Sequence, residues 1–239
     1  MLHNIFDEAP PNFSDDYVGR VRLGSLVNGR PMAHDTLRFT TGDPVLAEEI
    51  ASMFGGNVSE WETKTEENLE VLTEAKQAEV IFESITSESV LWGRASKPIR
   101  VCNMSQQENG EKCECTKNLN SLQEWKEAAR AGTACQPTVK ASFRLAENPG
   151  LGIWRFQSSS WGLAMGDPSW KRDKIQEGEA PWQPPISDIE QQLAVCEDGR
   201  ALGTLAVVGV DFTTKSGKHV SYTKPVITIL GNAPALVES

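Results

Sequence analysis

The chain has 239 residues and a mass of 26.2 kDa, enough for one large domain or two small ones. Hydrophobic residues make up 39% and charged residues 23%, so a packed core is available and wholesale disorder is excluded. The net charge of −10 repels phosphate and argues against a protein that coats nucleic acid through bulk charge.

Residues 1–16 read as a flexible leader, with Pro10, Pro11, Asp15 and Asp16. The opening MLHNIFDEAPPNF has neither the basic start nor the apolar stretch of a signal peptide. No run approaches the roughly 18 apolar residues of a membrane span. The expectation is a cytoplasmic protein whose cysteines are reduced. Tyr17 to Val27 is strand-like, Asn28-Gly29-Arg30-Pro31 supplies a turn, and TLRFTT (36–41) alternates as a second strand. A helix is predicted over 44–54. Asp43 can cap it, Pro44 suits its first position, Gly55-Gly56 stops it, and Leu46, Ile50, Met53 and Phe54 share a face. The stretch 43–76 is strongly acidic, relieved only by Lys64 and Lys76. It reads as a solvated face or as a docking surface for a basic partner.

Three strands are predicted next, at Leu69–Thr73, Glu79–Ser84 and Ser89–Gly93. The region 94–140 carries more bases than acids. Within it, Ser121-Leu122-Gln123-Glu124 has capping-box spacing, Leu122, Trp125 and Ala129 follow on one face, and Gly132 ends the helix. Thr138–Ala146 and Gly152–Ser158 read as a strand pair around Asn148-Pro149-Gly150. The Trp-, Pro- and Gly-rich stretch 159–185 reads as an irregular connection. Ser187-Asp188-Ile189-Glu190 is a second capping-box match, and two long β-branched strands, 201–212 and 219–230, close the chain. The predicted fold class is α+β: a strand-rich mixed domain with two or three short helices and a cysteine-rich, zinc-bound loop. It spans 17–239 as one domain, with 102–135 as a cysteine-rich insertion and a subdivision point near 165–185.

Cys102, Cys113, Cys115 and Cys135 read C-x10-C-x-C-x19-C. Four thiolates complete a tetrahedral zinc shell, and bound zinc can organise a polar segment that has little to bury. The residues between Asn103 and Lys117 are of that kind. The single residue between Cys113 and Cys115 is shorter than the commonest knuckle, so free thiols or a disulfide remain open. One structural Zn2+ is the favoured expectation. Cys196 stands apart and reads as a small buried hydrophobe. The seven tryptophans are read as core by default. Trp161 and Trp170 are the candidates for exposed partner anchors, and Glu60, Glu66 and Glu67 for an acidic partner surface.

Enzyme signatures are sparse. Gly19-x4-Gly24-Ser25 lacks the lysine of a phosphate loop, and no Gly-x-Gly-x-x-Gly, His-Glu-x-x-His or Gly-x-Ser-x-Gly occurs. His3, His34 and His219 are isolated. The expectation is a binding or regulatory protein and not an enzyme.

Several segments in order carry a family resemblance. They are VGRVRLGSLVNGRPMAHDTLRFTT (18–41), a helix ending MFGG, Trp61, LWGRASKPIRVC, the Cys-Glu-Cys pair, and CQPTVKASFRLAENPGLGIWRFQSSSWGLA (135–164). The most specific are Val18-Gly19-Arg20-x-Arg22-Leu23-Gly24, the four cysteines, and Gly152-Ile153-Trp154-Arg155 with Ser158. Over about residues 17–165 this resembles the phage recombination directionality factors of large serine integrases. One departure is that Val101, not an arginine, stands just before Cys102. The resemblance implies a factor that binds an integrase on its attachment-site DNA. Such a factor suppresses attP × attB integration and permits attL × attR excision, with weak or no DNA binding alone. The alternative is a zinc-containing single-stranded nucleic-acid-binding protein of phage replication, in which tryptophans stack on bases. A third reading is a small hydrolase or nuclease.

Overall fold

The computed structural model describes residues 17–27, 30–63, 67–93, 97–103, 106–107, 109–115, 119–168, 182–214 and 216–235. The 1–16 leader and most of the 165–185 subdivision stretch lie outside them. The described residues form one 10-stranded sheet with a few short helices.

The sheet begins with β1 (Tyr17–Val27), β2 (Arg30–Thr41), β3 (Val58–Glu60) and β4 (Leu69–Leu72). It continues with β5 (Gln77–Trp92), β6 (Pro98–Cys102), β7 (Gln136–Leu145), β8 (Ile153–Ser158), β9 (Ala201–Thr213) and β10 (His219–Asn232). The spatial order is β10-β9-β5-β7-β8-β1-β2-β4-β3, and β6 pairs with β5. The β1–β8 pair is parallel and the other pairs are antiparallel. The sheet curls back on itself at the β4–β5 connection. There the Leu37 N–H donates to Ala75 O, the Thr73 N–H to Leu37 O, and the Val207 N–H to Lys76 O.

Strand alternation sets the core. On β7, Pro137, Val139, Ala141, Phe143 and Leu145 are buried, and the residues between them are only partly covered. Val21, Phe39, Phe82, Trp154 and Phe156 join them from neighbouring strands. Outward-pointing positions on β1, β2 and β8 are therefore free to carry charge, and this positions the groove described below.

Helix α1 (Pro44–Phe54) forms as its sequence predicts. Asp43 Oδ1 accepts from the N–H groups of Val45 (2.8 Å) and Leu46 (3.4 Å), and Gly55 ends it at φ 73°. Ala47 and Ile50 are its buried contacts. Helix α2 (Leu122–Arg130) starts at Ser121, whose Oγ accepts from the Glu124 N–H at 3.2 Å. A short α3 (Trp161–Met165) follows β8, and α4 (Ile186–Ala194) precedes β9.

Three expectations shift. The predicted strands 79–84 and 89–93 are one 16-residue strand, because Ile85 and Ser87 between them are also buried on alternate positions. A bulge between Phe82 and Ser84 lets it bend. The second capping box is not formed: Pro185 stands at the N-cap, and Glu190 instead accepts a 2.7 Å bond from Ser87 Oγ across the sheet. The tryptophans are also less uniform than core packing predicts. Trp154 is fully buried and Trp125 nearly so, whereas Trp92 is 57% exposed.

Candidate metal centre and partner surface

The four cysteines converge. Cys102 ends β6, Cys113 precedes a helical segment that begins at Glu114 and includes Cys115, and Cys135 immediately precedes β7. All four are buried. The sulfurs of Cys102, Cys113 and Cys135 lie within 4.8 Å of one another, so these three could hold a metal ion. Four ligands at the Zn–S distance of about 2.3 Å around a tetrahedral ion would stand about 3.8 Å apart. The observed grouping is compatible with that.

Cys115 belongs to the same cluster. Its sulfur accepts from the Cys135 N–H at 3.2 Å and from Arg100 Nη1 at 3.7 Å. N–H donors of this kind stabilise thiolate charge and orient ligands. Hydrogen bonds from Cys102, then Cys115 and Cys135, hold Cys113 far below the ordinary thiol range. Hydrogen bonds with Cys102, then Cys113 and Cys115, push Cys135 far above it. Burial pulls the Arg100 guanidinium down, but the Cys115 sulfur and the neighbouring thiols more than offset it and hold it above its usual value. Arg100 also pairs with Glu114 at 2.8 Å. It stands one residue before Val101.

The polar loop is tied down locally. The Asn103 N–H donates to Gln106 O at 3.0 Å, and Asn103 Oδ1 accepts from the Gln106 N–H at 2.8 Å. Leu91, Trp125 and Ala134 surround the sulfurs, giving this module a small apolar core separate from that of the sheet. Cys196 is not part of it. It is half-buried beside the sheet core, and its thiol donates to Gln192 O at 3.2 Å.

The partner-surface candidates scatter. Glu60 is exposed on β3. Glu66 and Trp170 lie outside the described residues. Trp161 is half-buried, with its ring edge-to-face against Trp125 at 6.0 Å, so it packs α3 onto the cysteine module. Glu67 is not on a solvated face. It is 9% exposed, 2.8 Å from Arg20 Nε and 3.3 Å from Arg22 Nη2, and it accepts from Thr40 Oγ1 at 3.1 Å.

Those contacts lead to a groove of ≈ 1320 Å³ lined by Arg20, Arg22, Arg38, Arg155 and Trp61 among others. The resemblance includes Arg20, Arg22 and Arg155, but sequence reading gives them no role. The available signal is their spacing. Arg20 and Arg22 alternate with the inward-facing Gly19 and Val21 on β1, and Arg155 alternates with the inward-facing Trp154 and Phe156 on β8.

The fold and the thiol cluster define a strand-rich α+β protein with a cysteine module able to bind metal. The chain belongs to the Gp3-like family, described as recombination directionality factor-like, whose model matches residues 18–166. The matched segment runs from β1 to the end of α3, so it includes the cysteine module and the arginine groove. The family is a regulatory class that acts with a recombinase, not an enzymatic one. No solved structure matches the chain. Among the described residues, no helix is long and apolar enough to cross a membrane.

Proposed function

We propose that this protein is a recombination directionality factor that binds a large serine integrase on attachment-site DNA and switches it from attP × attB integration to attL × attR excision. The observation that carries the reading is the family match over 18–166, which includes the ordered segments of the resemblance. The net charge of −10 fits a protein that binds a DNA-bound partner without itself gripping phosphates. The integrase would supply the nucleophile and most DNA contacts.

Binding alone suffices for such a switch. An integrase with several accessible arrangements is shifted toward whichever the factor binds better. A tenfold bias requires about 1.4 kcal/mol of differential affinity, within reach of a modest interface. The cysteine module contributes rigidity in this reading: Cys102, Cys113, Cys115 and Cys135 would hold one structural zinc. Four thiolate ligands leave no open position on the ion for catalysis. Trp161 then contributes through packing on that module. Among the described acidic candidates, Glu60 is the exposed one that could steer a basic partner surface.

The test is a purified recombination assay with the integrase encoded in the same genome. The expected result is inhibition of attP × attB and activation of attL × attR by the added protein. An integrase whose two reactions both ignore the factor, with no complex formed, would sink the reading.

A further inference from the structure

The sheet places like charges side by side. In the pairing register, Arg20 on β1 stands opposite Arg155 on β8, and Arg22 on β1 stands opposite Arg38 on β2. Like charges directly opposite each other in a sheet are destabilising. Two such pairs lie on adjacent strands of a molecule that is acidic overall. A local rule broken in this way is a mark of a functional site.

The protein partly compensates. Glu67 pairs with Arg20 and Arg22, and Glu70 accepts from Arg38 Nε at 2.6 Å. The guanidiniums also lie over aromatic rings: Arg22 and Arg38 over Trp61 at 5.3 and 4.5 Å, and Arg20 and Arg155 over Tyr17 at 5.2 and 5.9 Å. Burial first, then the Arg20 charge, holds Arg155 below the usual guanidinium value. Burial likewise outweighs Glu67 and holds Arg22 below it. Both groups would be stabilised by a further anion.

We propose that this arginine groove is a docking site for an acidic segment of the protein partner, whose carboxylates pair with Arg22 and Arg155. The proposal deepens the integrase reading and rests on it for the identity of the partner. Three features select a carboxylate-bearing peptide. The acids already seated on these arginines, Glu67 and Glu70, are carboxylates, for which the guanidinium fork is suited. Apolar surface from Leu23, Met32 and Ala33 adjoins the arginines in the same groove, which suits side chains interleaved with acids. A polyphosphate chain is the poorer fit. Trp61, the ring a base would stack on, already carries Arg22 and Arg38.

The test uses the full-length protein and its Arg22→Gln/Arg155→Gln double variant, with Arg155→Lys as the conservative control. Thermal melting first establishes that each is folded. Fluorescence anisotropy then follows a labelled ten-residue peptide of alternating Glu and Leu, and a labelled ten-nucleotide single strand, at low salt. The expected result is binding of the peptide, at least tenfold loss in the double variant, partial retention in Arg155→Lys, and at least tenfold weaker binding of the single strand. Peptide binding that is absent, or equal in the wild type and the double variant, overturns the site. Tighter binding of the single strand, lost in the double variant, replaces the peptide with nucleic acid. A pull-down of the integrase separates the two readings. Wild type that binds the peptide but no integrase leaves the groove and removes its assigned partner. Integrase captured equally by the wild type and the double variant leaves the partner and removes the groove.

Discussion

The indole N–H of Trp125 donates to the backbone carbonyl of Cys135 at 2.8 Å, inside the apolar shell of the thiol cluster. One bond thereby fastens α2 to the fourth cysteine, just ahead of β7. Trp125 is also the face against which Trp161 packs, so the module is linked to the short helix that follows β8.

Trp125→Phe keeps most of the apolar volume but removes the donor, leaving a buried carbonyl without this partner. An unsatisfied buried acceptor costs about 1–3 kcal/mol. Urea denaturation of the variant is expected to show a loss in that range with an unchanged slope. A loss below a few tenths would show that water reaches the carbonyl.

Metal content is the next measurement. One zinc per chain is expected from elemental analysis of protein purified without chelator, and Cys102→Ser is expected to reduce it. Metal binding to such a site is coupled to folding, so chelation should expose the 102–135 module to proteolysis before the sheet. Cys196→Ala, a half-buried position outside the cluster, should leave both metal content and proteolysis unchanged. Protein with no bound metal and an equally protected module would rule out the zinc assignment.

Much of the fold was legible because its signals are local. Asp43-Pro44 and Gly55 bracket α1, and the alternation of Val139, Ala141, Phe143 and Leu145 declares β7. The cysteines announced themselves by residue type. The groove did not, because it depends on register between strands distant in sequence. Nothing in residues 18–24 tells that Arg20 will face Arg155, or that Glu67 will leave the acidic stretch to lie between two arginines. The bond from Ser87 to Glu190 spans 103 positions, and for the same reason a capping-box match at Ser187 was misleading.

Gly19 illustrates a residue whose need is steric. It lies on β1 against Trp154, and a Cβ built on it would come within 2.5 Å of the Trp154 ring and clash with the Thr40 carbonyl. Trp154 is fully buried and packs edge-on against Phe39 at 5.2 Å, so it has little room to yield. Gly19→Ala is expected to destabilise the protein by about 1–3 kcal/mol, the cost of overpacking a filled core. Calorimetry would register it as a lower Tm, and an unchanged Tm would mean that the β1–β8 contact is looser than the geometry shows.

Lys224 and Asp167 form a buried ion pair at 2.6 Å, with side-chain exposures of 5% and 12%. Asp167 also accepts from the Gln183 N–H at 3.1 Å, and Gln183 in turn accepts from the Ile227 N–H of β10 at 2.8 Å. Lys224→Met leaves the carboxylate without its cation and is expected to cost about 3–5 kcal/mol, whereas replacing both partners with apolar residues should recover much of that. Chemical denaturation of the two single variants and the double variant closes the cycle. Additive losses in the double variant would show that the two residues act independently.

The last prediction concerns the form of the directional switch. If one binding equilibrium between this protein and its integrase drives both effects, inhibition of attP × attB and activation of attL × attR must follow the same occupancy. Titrated against a fixed integrase concentration, the two reactions should therefore reach their midpoints at the same amount of factor. The plateau ratio reports the differential affinity: a near-complete reversal requires about 5.5 kcal/mol between the competing arrangements. Raising salt should move both midpoints upward together, because charged surfaces on the two proteins contribute to encounter. Weakening variants such as Glu60→Lys should likewise shift both midpoints without separating them. Midpoints that differ by more than about threefold, beyond the spread of about 0.6 kcal/mol that such a ratio represents, would show that the factor acts through two distinct interactions and not through a single population shift.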